Sequence, residues 1–333
     1  MTALAMGSAE PLAQRYDTAL LDLDGVVYVG PDAVEGAPET LELVRGAGMR
    51  VAFVTNNAAR PPDVVAHHLN ALGVSAEPDE IVTSAQAAAR MVADRVPAGS
   101  PVLVVGGAGL EVALQEVGLR PVWSADEAVA VVQGFSPDLG WAGLAEGAYA
   151  VARGVLWVAA NLDRTLPTPR GLAPGNGSLV AAISSATGAT PLSAGKPQLP
   201  LHQEAVRRTR SQHPLVVGDR LDTDVEGANR AGSDSLLVLT GVTSPHELLT
   251  ADEMHRPTFV AAGLADGLLE PHPPVSVHGG RWTCGGWTVG VKEHRVMLGG
   301  GGDNLGALRA LCVAVWEGAP PNSAVEALSA LSW

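Results

Sequence analysis

Two aspartates, Asp22 and Asp24, stand two apart in LLDLDGVVYVG, where an apolar run gives way to an Asp-Gly turn. If residues 19–23 form a short buried strand, alternation points both side chains to one face. The carboxyl end of such a strand is where open α/β sheets bind ligands. A carboxylate placed there can ligate a hard cation or attack phosphorus while its neighbour moves protons, although an Asx turn closing a strand looks the same. Thr55, Asn56 and Asn57 in FVTNNAAR close a second apolar run. A hydroxyl and loop N–H groups there suit phosphate oxygens, and helix capping by Thr or Asn is the other reading. Lys196 in SAGKPQ is a single cation between a glycine and a proline, able to bring charge to a phosphate or to sit solvated in a loop. In VVGDRLDTDVEGANRAG, Asp219, Asp222 and Asp224 crowd just past a third apolar run. Three such carboxylates repel one another, a divalent cation relieves that, and oxygen-only ligands suit Mg²⁺ rather than zinc. The acidic first turn of a helix accounts for at least one of them.

The elements that must carry these residues alternate between strand and helix. Residues 49–55 and 80–83 read as strands, with helices over 40–46 and 61–72. From residue 84 the rhythm starts afresh: helix 85–95, strand 101–107, helix 110–117, strand 128–134, helix 141–152 and strand 155–161. A Pro/Gly-rich loop and a short helix lead to GKPQ, after which helix 199–210, strand 214–219, helix 222–231 and strand 235–241 resume the pattern. All four candidate motifs follow strands. From Pro271 the texture turns to Pro, Gly and Trp, then to helix-like runs over 305–316 and 323–331.

A chain of 333 residues is expected to form about two domains. With 47% hydrophobic and 4% aromatic residues it has the composition of a folded, soluble α/β protein. The net charge of −14, with no Lys/Arg cluster, offers none of the counterion-releasing surface that nucleic acid requires, so nucleic acid is not an expected partner. A phosphate site in so acidic a chain needs its own local positive charge. Cys284 and Cys312 lack disulfide or zinc spacing and read as packed thiols. The first residues lack a basic start and an apolar core, and no later segment is long and apolar enough to span a bilayer, so no membrane association and a cytoplasmic location are expected. VVGGAGLE at 104–111 lacks full dinucleotide-loop spacing and reads as a strand-to-helix turn. GGGGDN at 299–304 reads as a flexible loop. The histidines show no ligand spacing and are expected on surfaces or cap helices.

Taken in order, D-x-D, Thr, Lys and G-D-x-x-x-T-D resemble the motif order of the haloacid dehalogenase superfamily. The long insertion between Thr55 and Lys196 is similar to the C2 cap of the branch that holds p-nitrophenyl phosphatase, phosphoglycolate phosphatase and related nucleotidases. The resemblance spans residues 17–265. It implies a Rossmann-like α/β core, a parallel sheet with helices on both faces, from residues 1–84 plus 191–270. It also implies an inserted α/β cap over 85–190, and leaves 271–333 as a C-terminal extension.

In that family the first Asp is the nucleophile, which maps to Asp22 and implies an aspartyl-phosphate, while Asp24 serves as general acid and base. Mg²⁺ is implied as cofactor, held by Asp22, the Asp24 carbonyl and Asp219, with Asp224 acting through water or as an orienting group. Thr55, the Asn56 backbone and Lys196 are implied to clasp the phosphoryl oxygens; Asp222 has no sure family role. Asn161, Asp163, Gly175, Asn176 and Ser178 resemble the loop returning from cap to core and are candidate substrate contacts, a structural turn explaining them as well. The implied activity is hydrolysis of a small phosphorylated metabolite. Long actinobacterial members with a similar extension point to glycerol 3-phosphate ahead of phosphoglycolate, a sugar phosphate or a nucleoside monophosphate. A mutase has a smaller cap placed earlier, and a non-catalytic interaction protein needs a broken residue set, whereas every position is filled here. Trp282, Trp287, Trp316 and Trp333 of the extension need cover from the core, from a sister subunit or from one another. That leaves room for a homo-oligomer formed through the cap or the extension. The extension also resembles part of an acetyltransferase fold but shows no acetyl-CoA loop, so a structural or regulatory role is expected.

Overall fold

The computed structural model of the protein describes residues 3–168 and 170–331; Trp333 lies outside them. The chain divides into two compact units, residues 1–51 with 211–333 and residues 52–210.

In the first unit, apolar runs with no polar alternation become strands buried on both faces. Phe259–Ala261, Asp234–Val238, Pro214–Gly218 and Thr18–Leu21 lie side by side in that order, all parallel. The register sets Leu21 opposite Val217, so the residues that follow the two central strands, Asp22 and Asp219, emerge at the same sheet edge. After Asp219 the backbone makes one wide π-helical turn, Leu221–Val225, before the α-helix Glu226–Ala231. The single helix expected over 222–231 therefore begins with a widened turn, a feature frequent at functional sites.

The segment after residue 270 has more regular structure than its composition suggests. Four short strands, Ser276–His278, Arg281–Cys284, Trp287–Lys292 and Arg295–Gly300, form an antiparallel meander. The helix Asn304–Trp316 packs on its middle strands. That helix is apolar on almost every side and accordingly buried: every residue from Gly306 to Ala314 is inside, Arg309 being the one charged residue among them. It shares one hydrophobic cluster with Leu237, Leu248, Leu249 and Val260 of the parallel-sheet region and with Trp282, Val289 and Val296 of the meander. The described tryptophans of the extension find cover within the chain to different extents, Trp287 and Trp316 only in part. Trp282 is buried, with its indole N–H donating to Glu317 Oε2 at 2.7 Å, and the Trp287 indole N–H donates to the Asp303 carbonyl at 2.9 Å. The glycine run expected as a loop instead begins inside a strand: a side chain at Gly300 or Gly302 would strike the carbonyl of Gly286 or Gly285. Both cysteines are free and buried.

One histidine departs from the surface expectation. His272 is 2% exposed because it joins the N-terminal segment to the extension, exchanging backbone bonds with Ser8 at 2.8 Å each way. Its Nε2 lies 2.8 Å from the Gly267 carbonyl, which can only accept, so Nε2 carries the proton. Nδ1 faces the buried Arg309 guanidinium at 3.4 Å. Burial, reinforced by Arg309, holds the imidazole below its ordinary range.

The second unit holds a five-stranded, wholly parallel sheet in the order Leu192–Ser193, Leu156–Ala159, Ala130–Gln133, Pro101–Val105, Arg120–Val122. The helices Trp141–Ala152 and Asn176–Thr187 pack together over the cluster of Leu103, Val131, Trp157 and Ile183. The chain at 104–111 is a strand-to-helix turn: Gly107 precedes the helix Ala108–Glu116. This unit also contains the parallel pairing of Phe53–Thr55 with Ile81–Thr83, with Thr55 opposite Thr83. No helix among the described residues is long and apolar enough to cross a membrane.

Candidate active site

In the first unit the acidic motifs meet. Asp22, Asp219 and Asp224 each offer a carboxylate oxygen, and these three lie within 4.8 Å of one another. Strand register accounts for two of them, since Asp22 N donates to the Val217 carbonyl at 2.8 Å, extending the pairing by one residue. The wide turn accounts for the third, bringing Asp224 back so that its Oδ2 accepts the Arg220 N–H at 3.2 Å. Asp219 and Asp224 are 1% and 2% exposed. Carboxylates are driven so far inside only where paired charge or hydrogen bonds compensate.

Bare backbone makes the space. A Cβ on Gly218 would overlap the Asp224 side chain, and one on Gly25 or on Gly241 would overlap the Asp219 carboxylate. Gly25 also sits at φ +81°, a left-handed conformation that favours glycine. The loop after the Asp234–Val238 strand closes over Asp219: Val242 N donates to its Oδ2 at 2.6 Å and Thr243 N to its carbonyl at 3.1 Å. The Thr240 hydroxyl donates to the Gly25 carbonyl at 2.6 Å. Asp24 is exposed and receives the Tyr28 hydroxyl at 3.5 Å, a long contact. Asp222 points away from the cluster into an exposed pair with Arg220, at 2.8 Å, which holds its carboxyl below the usual range.

The donor set is three carboxylates, all oxygen, which fits a hard divalent cation of the Mg²⁺ type and not a thiolate- or imidazole-seeking metal.

In the second unit Asn56 is the centre of a separate polar knot. Its Oδ1 accepts the Lys196 N–H at 2.7 Å, and its Nδ2 donates to the Lys196 carbonyl at 3.2 Å and to Asp163 Oδ2 at 3.3 Å. Its carbonyl accepts from Ser84 Oγ at 2.5 Å and from Asn161 Nδ2 at 2.7 Å. The Thr55 hydroxyl accepts the Asn57 N–H at 3.1 Å, and Lys196 Nζ donates to the Val54 carbonyl at 3.2 Å. Five of the expected residues, Thr55, Asn56, Asn161, Asp163 and Lys196, are therefore drawn together. Asn176 joins them through Nδ2, which donates to the Asn161 carbonyl at 2.7 Å. Gly175 packs so closely on the Asp163 carbonyl that no Cβ fits.

The 23–28 turn residue Tyr28, the Thr240–Val242 loop and Ser84 were not singled out by motif. The signal available for the loop was a Thr-Gly pair directly after an apolar strand, the same position that made Asp22 and Asp219 conspicuous.

Residues 19–120 match the family described as haloacid dehalogenase-like hydrolase, and residues 193–267 a second HAD-hydrolase-like family. A D-glycerol 3-phosphate phosphatase of Mycobacterium tuberculosis is 47% identical over 317 residues, covering 92% of this chain and 87% of its own. The chain belongs to the haloacid dehalogenase-like hydrolases. Within that family, the structure of the M. tuberculosis glycerol phosphate phosphatase in complex with magnesium is similar at a TM-score of 0.87 and 43% identity, covering 97% of this chain and 100% of that one. A p-nitrophenyl phosphatase from Archaeoglobus fulgidus is similar at a TM-score of 0.71 and 30% identity, over 76% of this chain and 98% of its own. This haloacid dehalogenase-like hydrolase is thus a phosphatase with the Rossmann-like α/β fold of its relatives, acting on a small phosphorylated substrate. Its residues 284–333 match a GCN5-related N-acetyltransferase-like family.

Proposed function

We propose that the chain is a Mg²⁺-dependent phosphomonoester hydrolase whose substrate is glycerol 3-phosphate. The observation that carries the reaction class is the gathering of Asp22, Asp219 and Asp224 at one strand edge. The substrate rests on the name of the M. tuberculosis relative, which is similar along most of both chains.

Asp22, at the open end of its strand and less buried than the other two, is the group we assign to attack phosphorus, the alkoxide leaving as the aspartyl-phosphate forms. Asp24, exposed beside the Tyr28 hydroxyl, gives the leaving oxygen its proton and later takes one from the attacking water. Asp219 and the Asp24 carbonyl complete the cation-holding set with Asp22, and Asp224 orients it. Bound there, Mg²⁺ supplies positive charge against the transferring phosphoryl group. Thr55, the Asn56 backbone and Lys196 are assigned to phosphate binding, and Asn161, Asp163, Gly175 and Asn176 to the shaping of the substrate loop. The same reading takes residues 1–84 plus 191–270 as the catalytic core and 85–190 as the cap. It gives 271–333 a structural role, supported by the cluster that helix Asn304–Trp316 shares with the parallel-sheet region. It also places the protein in the cytoplasm and allows self-association through cap or extension, which sedimentation would register.

The test is phosphate release with Mg²⁺ across glycerol 3-phosphate, phosphoglycolate, a hexose phosphate and a nucleoside monophosphate. The highest kcat/KM is expected for glycerol 3-phosphate. A tenfold preference for any other would overturn the substrate, and no release from any would overturn the reaction.

A further inference from the structure

We propose that the loop Thr240–Thr243 is the positioning element of the acidic site, fixing the Asp24–Gly25 turn against Asp219 and so setting the affinity for the divalent cation. This rests on the reading of Asp22, Asp219 and Asp224 as a cation site.

Two sequence-distant motifs have to be held at one separation for that site to work, and this loop touches both. On one side the Thr240 hydroxyl grips the Gly25 carbonyl at 2.6 Å, in the turn that the Gly25 N–H itself closes onto the Tyr28 carbonyl at 2.8 Å. On the other, Val242 N holds Asp219 Oδ2 at 2.6 Å and Thr243 N holds the Asp219 carbonyl at 3.1 Å. Between them the Asp219 carboxylate lies against two glycines, Gly25 and Gly241, neither of which leaves room for a methyl group. The carboxylate is thus clamped on two sides by backbone and aimed by one N–H, leaving it little freedom of rotation.

The loop is itself anchored at both ends. Leu239 N donates to the Ala261 carbonyl at 3.1 Å, and Ser244 caps the next helix, Pro245–Leu249, in a reciprocal capping box with Glu247. Groups that orient metal-holding carboxylates govern affinity without touching the metal, and their loss typically weakens binding by about ten- to a hundredfold. Thr240 and Gly241 are positioning residues in this sense.

The experiment is calorimetric titration of the full chain with Mg²⁺, without substrate, for wild type, Thr240→Val, Thr240→Ser, Gly241→Ala and Asp219→Asn, each checked by circular dichroism and melting in chelator. Thr240→Val keeps size and loses the hydroxyl, so its Mg²⁺ affinity should fall about ten- to a hundredfold while Thr240→Ser stays near wild type. Gly241→Ala should fall at least as far. In turnover, the Mg²⁺ concentration for half-activity should rise by the same factor, with kcat at saturating Mg²⁺ changed far less. Wild-type Mg²⁺ affinity in Thr240→Val, or equal impairment in Thr240→Ser, would overturn the proposal while Asp219→Asn still loses binding. If wild type takes up no Mg²⁺, or Asp219→Asn binds as well as wild type, the cation-site reading itself falls and this proposal with it. Should Gly241→Ala fail to fold, the valine and serine variants still decide.

Discussion

Asn56 and Lys196 hold each other by a reciprocal pair of hydrogen bonds: the Lys196 N–H donates to Asn56 Oδ1 at 2.7 Å, and Asn56 Nδ2 donates back to the Lys196 carbonyl at 3.2 Å. A single side chain thereby satisfies both backbone groups of a residue far away in sequence, a role usually taken by a paired strand.

Removing that side chain leaves a donor and an acceptor without their partner. Asn56→Ala is expected to cost about 1–3 kcal/mol, read as a lower urea midpoint at unchanged slope. Asn56→Asp should be worse, because it replaces the amide donors with a charge facing the Asp163 carboxylate. A midpoint equal to wild type in both variants would show that the knot contributes nothing to stability.

The nucleophile assignment predicts that Asp22→Asn loses turnover by more than about a thousandfold while circular dichroism and melting stay near wild type. Substantial residual activity would sink the aspartyl-phosphate mechanism.

Cation binding to the native state alone raises stability by mass action, about 2.7 kcal/mol at a hundredfold excess over Kd. Mg²⁺ should therefore raise the melting temperature of the wild type, chelator should reverse the rise and stop turnover, and Asp219→Asn should show no rise.

His272 predicts a pH dependence. Its folded-state affinity for protons is lowered from the ordinary 6.5 by burial and Arg309, so the stability of the neutral form is fully present above pH 6.5 and drains away as pH falls through the lower folded value. Asp266, Asp303 and Cys284 are the other ionisable neighbours in this corner of the fold. His272→Gln keeps a donor for the Gly267 carbonyl and an acceptor for Arg309 without taking up a proton. The melting-temperature difference between wild type and His272→Gln should therefore shift against the wild type between pH 7 and pH 5, and parallel curves would refute the assignment.

Leu311, fully buried in the Asn304–Trp316 helix, should cost about 2–5 kcal/mol on replacement by Ala. A loss under 0.5 kcal/mol, about the size of a surface change, would mean that the extension rests only loosely on its neighbours.

The parallel strands and their acidic ends were legible because burial on both faces writes itself as unbroken Val, Leu and Ala, and because Asp22 and Asp219 interrupt those runs at the same edge of the sheet. The pairing of Leu21 with Val217 needed no more than that. The meander was not legible as strands for the opposite reason: its elements are short, and their turns, Gly279-Gly280 and Gly285-Gly286, look like linker composition. Both turns have positive φ at each residue, the signature of tight two-residue hairpins, and a Gly-Gly pair flanked by Trp, Val and Cys was the sign to read. Glu293-His294 makes the same turn without glycine, which composition could not suggest. Nor could motif spacing show that the Asn56 side chain binds the Lys196 backbone, since that depends on where Lys196 returns.

The buried helix Asn304–Trp316 has a consequence for the order in which the molecule is made. Leu237, Leu248 and Val260 find part of their apolar cover in residues synthesised some fifty to seventy positions later. A nascent chain paused after its acidic motifs are complete would still hold a sticky face open to chaperones or to other nascent chains. The helix Asn304–Trp316 closes that face, so resistance to aggregation arrives only after this helix has been made, well behind the acidic motifs.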